Sequence, residues 1–168
     1  MATKIKDIEV IAKAILDSTG RTLSRGTVEV AVGGYREDLK QFFRSKMEAN
    51  TARYFNKIHW EYEPKEFEFP IKRGNRYYKP DFYLPAYDLW IEVKGYFRSQ
   101  DKTKLRRFKK YYPEEFSKLR FVIPDKYAKS VANGEMMNFL LDDLKINFED
   151  IEDYKEMQKF GKLIPEWE

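Results

Sequence analysis

The sequence predicts an α/β protein with a mixed central sheet, an α-β-β-β-α-β core flanked by helices, an N-terminal helical extension and C-terminal helices. Three observations predict this class. Apolar residues recur at helical spacing across residues 36–58, as at Leu39 and Phe43. Residues 60–69 then alternate between apolar and charged side chains, which is typical of a strand. A continuously apolar run at 119–123 follows a basic helical segment, as expected for a strand after a crossover helix.

Two further strands are expected between residues 60–69 and the basic helix. Residues 76–84 form the second strand, which Pro80 interrupts, so Pro80 takes an edge or bulged position. Residues 89–93 form the third strand, and Gly95 ends it. The connections between these strands are short enough for an antiparallel meander.

Helices account for the rest of the predicted core and for the C-terminal part of the chain. Residues 101–112 are a basic helix whose apolar residues recur at helical spacing. Because this helix precedes the strand at 119–123, that strand can pair in parallel with an earlier one. Two more helical stretches are predicted near 135–145 and 149–160.

The N-terminal residues are predicted to form two short helices. Apolar residues recur at helical spacing within residues 8–16, and Thr22 or Ser24 can cap a second helix. The pair Gly33-Gly34 would end that helix. Two interpretations stay open for these helices, a structural cap and a DNA-contacting helical pair.

The charge distribution suggests three regions. We expect an N-terminal helical extension at 1–35, a core at 36–126 and an acidic helical appendage at 127–168 that packs on the core. The appendage holds five lysines and ten acidic residues, a formal charge of −5, in a chain whose net charge is +4. The remaining residues are therefore basic, which favours a polyanionic partner, with nucleic acid first.

Residue usage excludes several kinds of site. The 168 residues include no cysteine and a single histidine, His59. Disulfides, thiolate metal sites and histidine-rich zinc sites are therefore excluded. Any metal must be held by oxygen ligands, which favours magnesium, manganese or calcium.

The sequence offers no membrane-spanning segment. No run approaches the ~18 apolar residues that a bilayer requires. The first apolar stretch contains Lys13 and Asp17, unlike a secretory signal. We expect a cytoplasmic protein with no membrane partner.

Asp81, Glu92 and Lys94 form the cluster with the clearest chemical potential. Glu92 and Lys94 are two residues apart on a predicted strand, so their side chains leave the same face. Asp81 lies on the neighbouring strand, and the short connection brings it opposite Glu92. Two carboxylates that converge in this way suit a hard cation, and without one they raise each other's pKa.

Phosphodiester hydrolysis is the chemistry that fits this cluster. A metal held by Asp81 and Glu92 would polarise a phosphoryl oxygen and lower the pKa of a bound water. Lys94 can orient that water, assist its deprotonation or offset charge on the phosphate. The sequence leaves these roles, and the number of metal ions, open.

Pro80-Asp81, followed after ten residues by Glu92-Val93-Lys94, resembles the motif of the PD-(D/E)XK nuclease superfamily, which has a restriction-endonuclease-like fold. The superfamily core runs α-β-β-β-α-β, the order predicted from residue 36. Its members often carry an acid on the first helix, and Glu48 matches that place. The wider sequence over residues 34–168 looks like small phage-encoded endonucleases of this superfamily.

The resemblance implies a magnesium-dependent DNA endonuclease, with Mn²⁺ as a substitute ion and the host cytoplasm as its location. It implies that Asp81, Glu92 and the Val93 carbonyl bind the metal. Glu48 would be a further ligand and catalytic acid, and Lys94 the catalytic lysine.

Basic residues on both sides of this motif are candidates for binding nucleic acid. The helix after the third strand and the turn before Asp81 could each contact phosphates that flank the scissile bond. The alternative is an ordinary solvated charged surface. The candidates are Lys72, Arg73, Arg76, Arg98, Lys102, Lys104, Arg106 and Arg107.

Alternatives remain for substrate and assembly. The target can be a DNA sequence or a DNA structure, as for a Holliday junction resolvase-type nuclease. A nuclease acting on RNA is a weaker alternative, and a non-catalytic nucleic-acid-binding module of the same fold belongs to a different class. A homodimer is also open, because two-fold symmetry would place two sites on opposite strands.

Overall fold

The computed structural model describes residues 32–55 and 57–168. The two helices expected before Gly33, and nearly all of the predicted extension at 1–35, lie outside the described residues. None of the described helices is both long enough and apolar enough to cross a membrane.

Short strands and helices alternate along the described chain. The strands are β1 (Val32–Arg36), β2 (Gln41–Ser45), β3 (Glu61–Tyr62), β4 (Phe67–Glu68), β5 (Tyr77–Tyr78), β6 (Phe82–Leu84), β7 (Leu89–Val93), β8 (Leu119–Ile123) and β9 (Ile151–Asp153). The α-helices are α1 (Lys46–Phe55), α2 (Ser99–Tyr111), α3 (Pro113–Ser117), α4 (Val131–Asn138) and α5 (Tyr154–Gly161). A π-helical turn, Phe139–Asp143, continues α4, and a 3₁₀ turn, Phe148–Asp150, precedes β9.

A five-stranded mixed sheet forms the centre of the fold, in the order β3-β6-β7-β8-β9. The strands β3, β6 and β7 are antiparallel neighbours, whereas β8 runs parallel to β7 and β9 runs parallel to β8. Helix α2 lies on the connection between β7 and β8, as a parallel crossover requires. The predicted α/β class, with its mixed central sheet flanked by helices, is confirmed.

Two apolar layers cover the sheet, and alternate residues of β7 enter each of them. Ile91 packs in the first layer with residues of α1 and α5. Trp90 packs in the second layer with residues of α2 and α4. Because side chains alternate along a strand, Glu92 leaves the sheet on the same face as Trp90. Helix α2 packs against that face through Leu105 and Phe108.

The prediction of a helix over the whole of residues 36–58 is wrong in its first part. A two-stranded hairpin, β1–β2, precedes α1, which begins only at Lys46. Phe42 is 55% exposed and Phe43 is fully buried, the alternation of a strand. The hairpin turn uses Lys40 at a φ of 50°, so no glycine marked it in the sequence. Gly33, expected to end a helix, lies in β1.

Gly33 has a packing role in this hairpin. A Cβ atom at this position would come within 2.8 Å of the backbone carbonyl oxygens of Phe43 and Arg44. The strand β1 therefore approaches β2 more closely than a larger residue would allow.

The predicted strands at 60–69 and 76–84 are each divided in two. Their outer halves, β4 and β5, pair with each other in a separate two-stranded sheet, while β3 and β6 join the central sheet. Pro80 lies in the break between β5 and β6, because it cannot donate to a strand ladder.

The helix predicted over residues 149–160 begins later than expected. Residues 151–153 form β9 at the edge of the central sheet, and α5 starts at Tyr154. The side chain of Asp153 caps α5 by accepting a hydrogen bond from the Lys155 backbone N–H. The C-terminal segment thus contributes a strand to the sheet as well as helices.

Arg53 on α1 links three segments that are distant in sequence. Its Nε lies 2.8 Å from Asp38 Oδ2 in the hairpin turn, and its Nη1 lies 2.8 Å from Glu168 Oε2. A further bond joins Nη1 to Asn50 Oδ1. The hydrogen bond from Arg53 is the main reason that the pKa of Asp38 is lowered. These contacts fasten the hairpin and the C-terminal residues to α1.

Arg53→Ala is therefore expected to lower the free energy of unfolding by about 2 kcal/mol, because it removes charged hydrogen bonds to partly buried partners. Urea unfolding monitored by circular dichroism measures the change. The control is Lys159→Ala, whose ion pair with Glu156 is exposed and whose loss should change stability by no more than about 0.5 kcal/mol. Equal effects of the two substitutions would contradict this role for Arg53.

Candidate active site

The pairing of β6 with β7 brings Asp81 and Glu92 together. Phe82 is the partner of Ile91 in the antiparallel register, so the preceding residue, Asp81, lies across from Glu92. Asp81 Oδ2 accepts a hydrogen bond of 2.7 Å from the Val93 backbone N–H. Both carboxylates line one cavity of about 300 Å³. We call this cavity the carboxylate pocket.

Glu92 is held from two sides within the carboxylate pocket. The Tyr78 hydroxyl donates a hydrogen bond of 2.8 Å to Glu92 Oε2. The ammonium of Lys94 lies 3.5 Å from Glu92 Oε1. The Glu92 side chain is only 5% exposed, so these two contacts replace most of its hydration.

Asp101, at the start of α2, is a second partner of Lys94. Its Oδ1 lies 3.3 Å from Lys94 Nζ, and its Oδ2 accepts a hydrogen bond from the Arg98 backbone N–H. Asp101 therefore caps the helix and fixes the lysine at the same time. The basic helix was predicted to begin at residue 101, whereas it begins at Ser99, so the capping position of Asp101 was not recognised from the sequence.

Glu48 is not among the residues that line the carboxylate pocket. It is in the first turn of α1, where Ser45 Oγ donates to its Oε1 at 3.0 Å and the Tyr62 hydroxyl donates to its Oε2 at 2.6 Å. Its negative charge is close enough to contribute to the raised pKa of Asp81. The structure thus brings Asp81, Glu92 and Lys94 into one cavity and leaves Glu48 beside it.

Burial and mutual repulsion dominate the electrostatics of the two pocket carboxylates. Burial raises the pKa of Asp81 well above its ordinary value, and the charges of Glu92 and Glu48 raise it further. Burial also raises the pKa of Glu92, although Lys94 and Tyr78 oppose the shift. Without a cation, the pocket holds its carboxylates at a cost in stability.

Lys94 remains positively charged in this arrangement. Burial acts to lower the pKa of Lys94, but the charges of Glu92, Asp101 and Asp81 outweigh it and the net shift is upward. An ammonium with a raised pKa is a poor proton acceptor at neutral pH. The structure therefore favours orientation and charge stabilisation over deprotonation of water among the roles open to Lys94.

The donor set suits a hard divalent cation. Asp81 and Glu92 could supply carboxylate oxygens to such an ion. Val93, the other predicted ligand, does not line the pocket, and its backbone N–H bonds to Asp81 Oδ2. Within residues 32–55 and 57–168, no group of three or more His, Cys, Asp or Glu side chains is already arranged to hold a metal ion. Two repelling carboxylates nevertheless match the chemistry of such an ion, because a cation would turn their repulsion into attraction.

Of the basic residues predicted to bind nucleic acid, Lys104 lines the carboxylate pocket. Other basic side chains of α2 have partners within the protein. Arg106 forms an ion pair with Asp143, and Lys102 lies over the ring of Phe139 at 5.4 Å.

The second predicted basic segment, the turn before β5, docks onto α2. Arg107 Nη1 donates to the Asn75 carbonyl at 2.7 Å. Arg76 lies over the Tyr77 ring at 5.9 Å. The turn that carries Lys72 and Arg73 is therefore joined to the basic helix, so the two predicted patches are neighbours on one surface.

Several pocket residues were not singled out as site residues from the sequence. Some of them lie within four residues of Asp81 in the sequence, whereas the others reach the pocket from the β1–β2 hairpin, from β4 and its approach, and from the crossover helix α2. These residues are Arg44, Glu66, Tyr77, Tyr78, Lys79, Asp101 and Leu105.

Asp81→Asn is expected to increase the free energy of unfolding at pH 7 in divalent-free buffer. Asparagine keeps an oxygen for the Val93 N–H but removes a buried charge. Burial and the charges of Glu92 and Glu48 raise the pKa of Asp81 well above its ordinary value, so urea unfolding should give a higher free energy of unfolding for the variant than for the wild type. The gain should vanish as the pH falls below the ordinary aspartate pKa, because Asp81 is then protonated in both states.

The control for this prediction is Asp38→Asn. The hydrogen bond from Arg53 lowers the pKa of Asp38, so its carboxylate stabilises the fold at pH 7 and the variant should lose stability. A loss of stability in both variants would contradict the assigned repulsion at Asp81.

Comparison with known proteins was made for the whole chain. A model of the phage endonuclease I family matches residues 30–136. The matched segment is more than half of the chain and contains every residue that lines the carboxylate pocket. No curated protein and no solved structure gave a significant match.

Proposed function

Because the chain belongs to the phage endonuclease I family, we propose that this phage nuclease hydrolyses phosphodiester bonds in DNA, with Mg²⁺ as its cofactor and Mn²⁺ as a substitute. The observation that carries the proposal is the convergence of Asp81, Glu92 and Lys94 in one pocket. This constellation matches the PD-(D/E)XK pattern of the sequence, and we assign the chain to that superfamily as part of the proposal.

The proposed metal ligands are Asp81, Glu92 and the Val93 carbonyl. Glu48, held by Ser45 and Tyr62 beside the pocket, is proposed as a further ligand. A divalent ion bound here would supply Lewis-acid activation of the phosphoryl group and of a water.

Lys94 is proposed to stabilise the negative charge that develops on the phosphate during hydrolysis. Carboxylate oxygens of Glu92 and Asp101 lie 3.5 and 3.3 Å from its ammonium. A cation whose position is fixed before substrate arrives stabilises such charge without reorganising. Tyr78 contributes indirectly, because its hydroxyl fixes the second oxygen of Glu92.

The basic surface beside the pocket is proposed to bind the DNA backbone. Lys104 contributes at the pocket itself. The surface formed by α2 and the docked turn extends the contact to neighbouring phosphates, with salt-sensitive affinity. Its members are Lys72, Arg73, Arg76, Arg98, Lys102, Arg106 and Arg107.

The direct test is incubation of the protein with supercoiled plasmid, linear duplex, single-stranded DNA and a four-way junction, each with Mg²⁺ or with EDTA. Cleavage is expected with Mg²⁺ and not with EDTA. The relative rates distinguish a duplex-cutting enzyme from a junction resolvase, and binding without any product would favour the non-catalytic module. Sedimentation of the protein with and without DNA tests for a homodimer.

Asp81→Asn and Lys94→Ala are each expected to reduce the cleavage rate at least about 100-fold, since the first removes a proposed metal-ligand carboxylate and the second removes the ammonium proposed to stabilise charge on the phosphate. DNA affinity in EDTA should change little. Because Asp81→Asn is also expected to be more stable than the wild type, its inactivity could not be attributed to unfolding. Lys159→Ala is the control, and wild-type cleavage by either pocket variant would contradict the proposal.

A further inference from the structure

One wall of the carboxylate pocket carries two cations that share a carboxylate. Arg44 Nη2 lies 2.6 Å from Glu63 Oε1, and Lys79 Nζ lies 3.5 Å from Glu63 Oε2. Arg44 and Lys79 both line the pocket. Glu63 thus holds side chains from two distant segments, the end of β2 and the break between β5 and β6, at the same cavity.

Glu63 is itself fastened to the catalytic part of the pocket. Its backbone N–H donates to the Asp81 carbonyl at 2.8 Å. It adopts a φ of 45°, an uncommon conformation for a residue other than glycine. Glu63 therefore links the positions of Arg44 and Lys79 to the backbone of Asp81.

Exposure differs sharply between the members of this group. The Glu63 side chain is 15% exposed, whereas that of Arg44 is 64% exposed. The carboxylate is enclosed, while the guanidinium keeps donors that face solvent, since a guanidinium has five N–H groups. Such an arrangement leaves the cations able to accept a second anion.

The remaining charges of the pocket explain why an anionic substrate needs these cations. Asp81, Glu92, Asp101 and Glu66 also line the cavity and repel a phosphate that approaches it. Glu66 offsets part of the charge of Lys79, because its Oε2 lies 3.9 Å from Lys79 Nζ. The positive charges of Arg44 and Lys79 offset part of that repulsion. Lys104 of α2, which also lines the pocket, adds a further positive charge.

We propose that Arg44 and Lys79, positioned by Glu63, form a binding subsite for the DNA phosphate next to the scissile one. The proposal rests on the DNA endonuclease function proposed above and specifies how the substrate strand is placed. Arg44 and Lys79 contact the substrate, while Glu63 is a positioning residue that acts through them. The hairpin β1–β2 thereby contributes to substrate binding as well as to the fold.

The first experiment measures the salt dependence of DNA binding. Fluorescence anisotropy of a labelled duplex in EDTA, over a series of NaCl concentrations, compares the wild type with Arg44→Ala/Lys79→Ala. Because both side chains bind the same phosphate, losing them should reduce the magnitude of the slope of log K against log[salt] by about 0.9. An unchanged slope would overturn the proposal.

The matched control is Lys155→Ala/Lys159→Ala. It also removes two positive charges. Both lysines are exposed; Lys155 is paired with Asp125 and Lys159 with Glu156. Neither lysine lines the carboxylate pocket. The control slope should stay close to that of the wild type, and an equal decrease in both double variants would show a general charge effect and overturn the subsite.

The second experiment separates positioning from charge. Glu63→Gln keeps both cations but removes the carboxylate that holds them. DNA affinity in EDTA should be equal to or tighter than that of the wild type, while the single-turnover cleavage rate with Mg²⁺ at saturating protein should fall about tenfold. A wild-type single-turnover rate would overturn the positioning role of Glu63.

Different results would refute the proposed function and the proposed phosphate subsite. If the wild type does not cleave DNA, the proposed function fails, whatever the binding slopes are. If the wild type cleaves DNA and the double variant binds with an unchanged slope, the proposed function stands and the subsite is refuted.

Discussion

The burial of two like-charged carboxylates side by side is the constraint on which the rest of the site depends. Asp81 and Glu92 face one cavity at the junction of β6 and β7, and burial raises the pKa of each. The fold accepts this cost because surrounding donors compensate part of it. The Val93 N–H bonds to Asp81, and the Tyr78 hydroxyl bonds to Glu92. Destabilisation concentrated at one pocket is typical of a functional site.

The sheet topology explains why these groups meet. Antiparallel pairing of β6 with β7 sets the two carboxylates opposite each other, and the parallel crossover through α2 returns Asp101 and Lys104 to the same cavity. The hairpin β1–β2 and helix α1 then bring Arg44 to the pocket and Glu48 beside it. Family membership makes the chain a phage nuclease. The proposals add a role for each group around the cavity.

Much of this arrangement could be predicted from local patterns. The apolar runs of β7 and β8 and the basic helix between them were sufficient to predict a parallel crossover and the common face of Glu92 and Lys94. The hairpin was not predictable, because Leu39, Phe43 and Met47 fit helical spacing equally well. Its turn has Lys40 at a positive φ, where a glycine would have indicated a turn. The strand β9 is only three residues long and acidic, so its sequence resembles a helix start. Lys79 lies two residues before Asp81, but its shared pairing with Arg44 through Glu63 joins distant segments and could not be predicted from local sequence.

Divalent-ion uptake tests the central claim most directly. Isothermal titration calorimetry would measure Mn²⁺ binding to the wild type and to Glu92→Gln, both shown to be folded by circular dichroism. The account predicts saturable binding to the wild type that is lost or strongly weakened in the variant, since one of the two converging carboxylates is gone. Equal uptake by both proteins, or no uptake by the wild type, would contradict it.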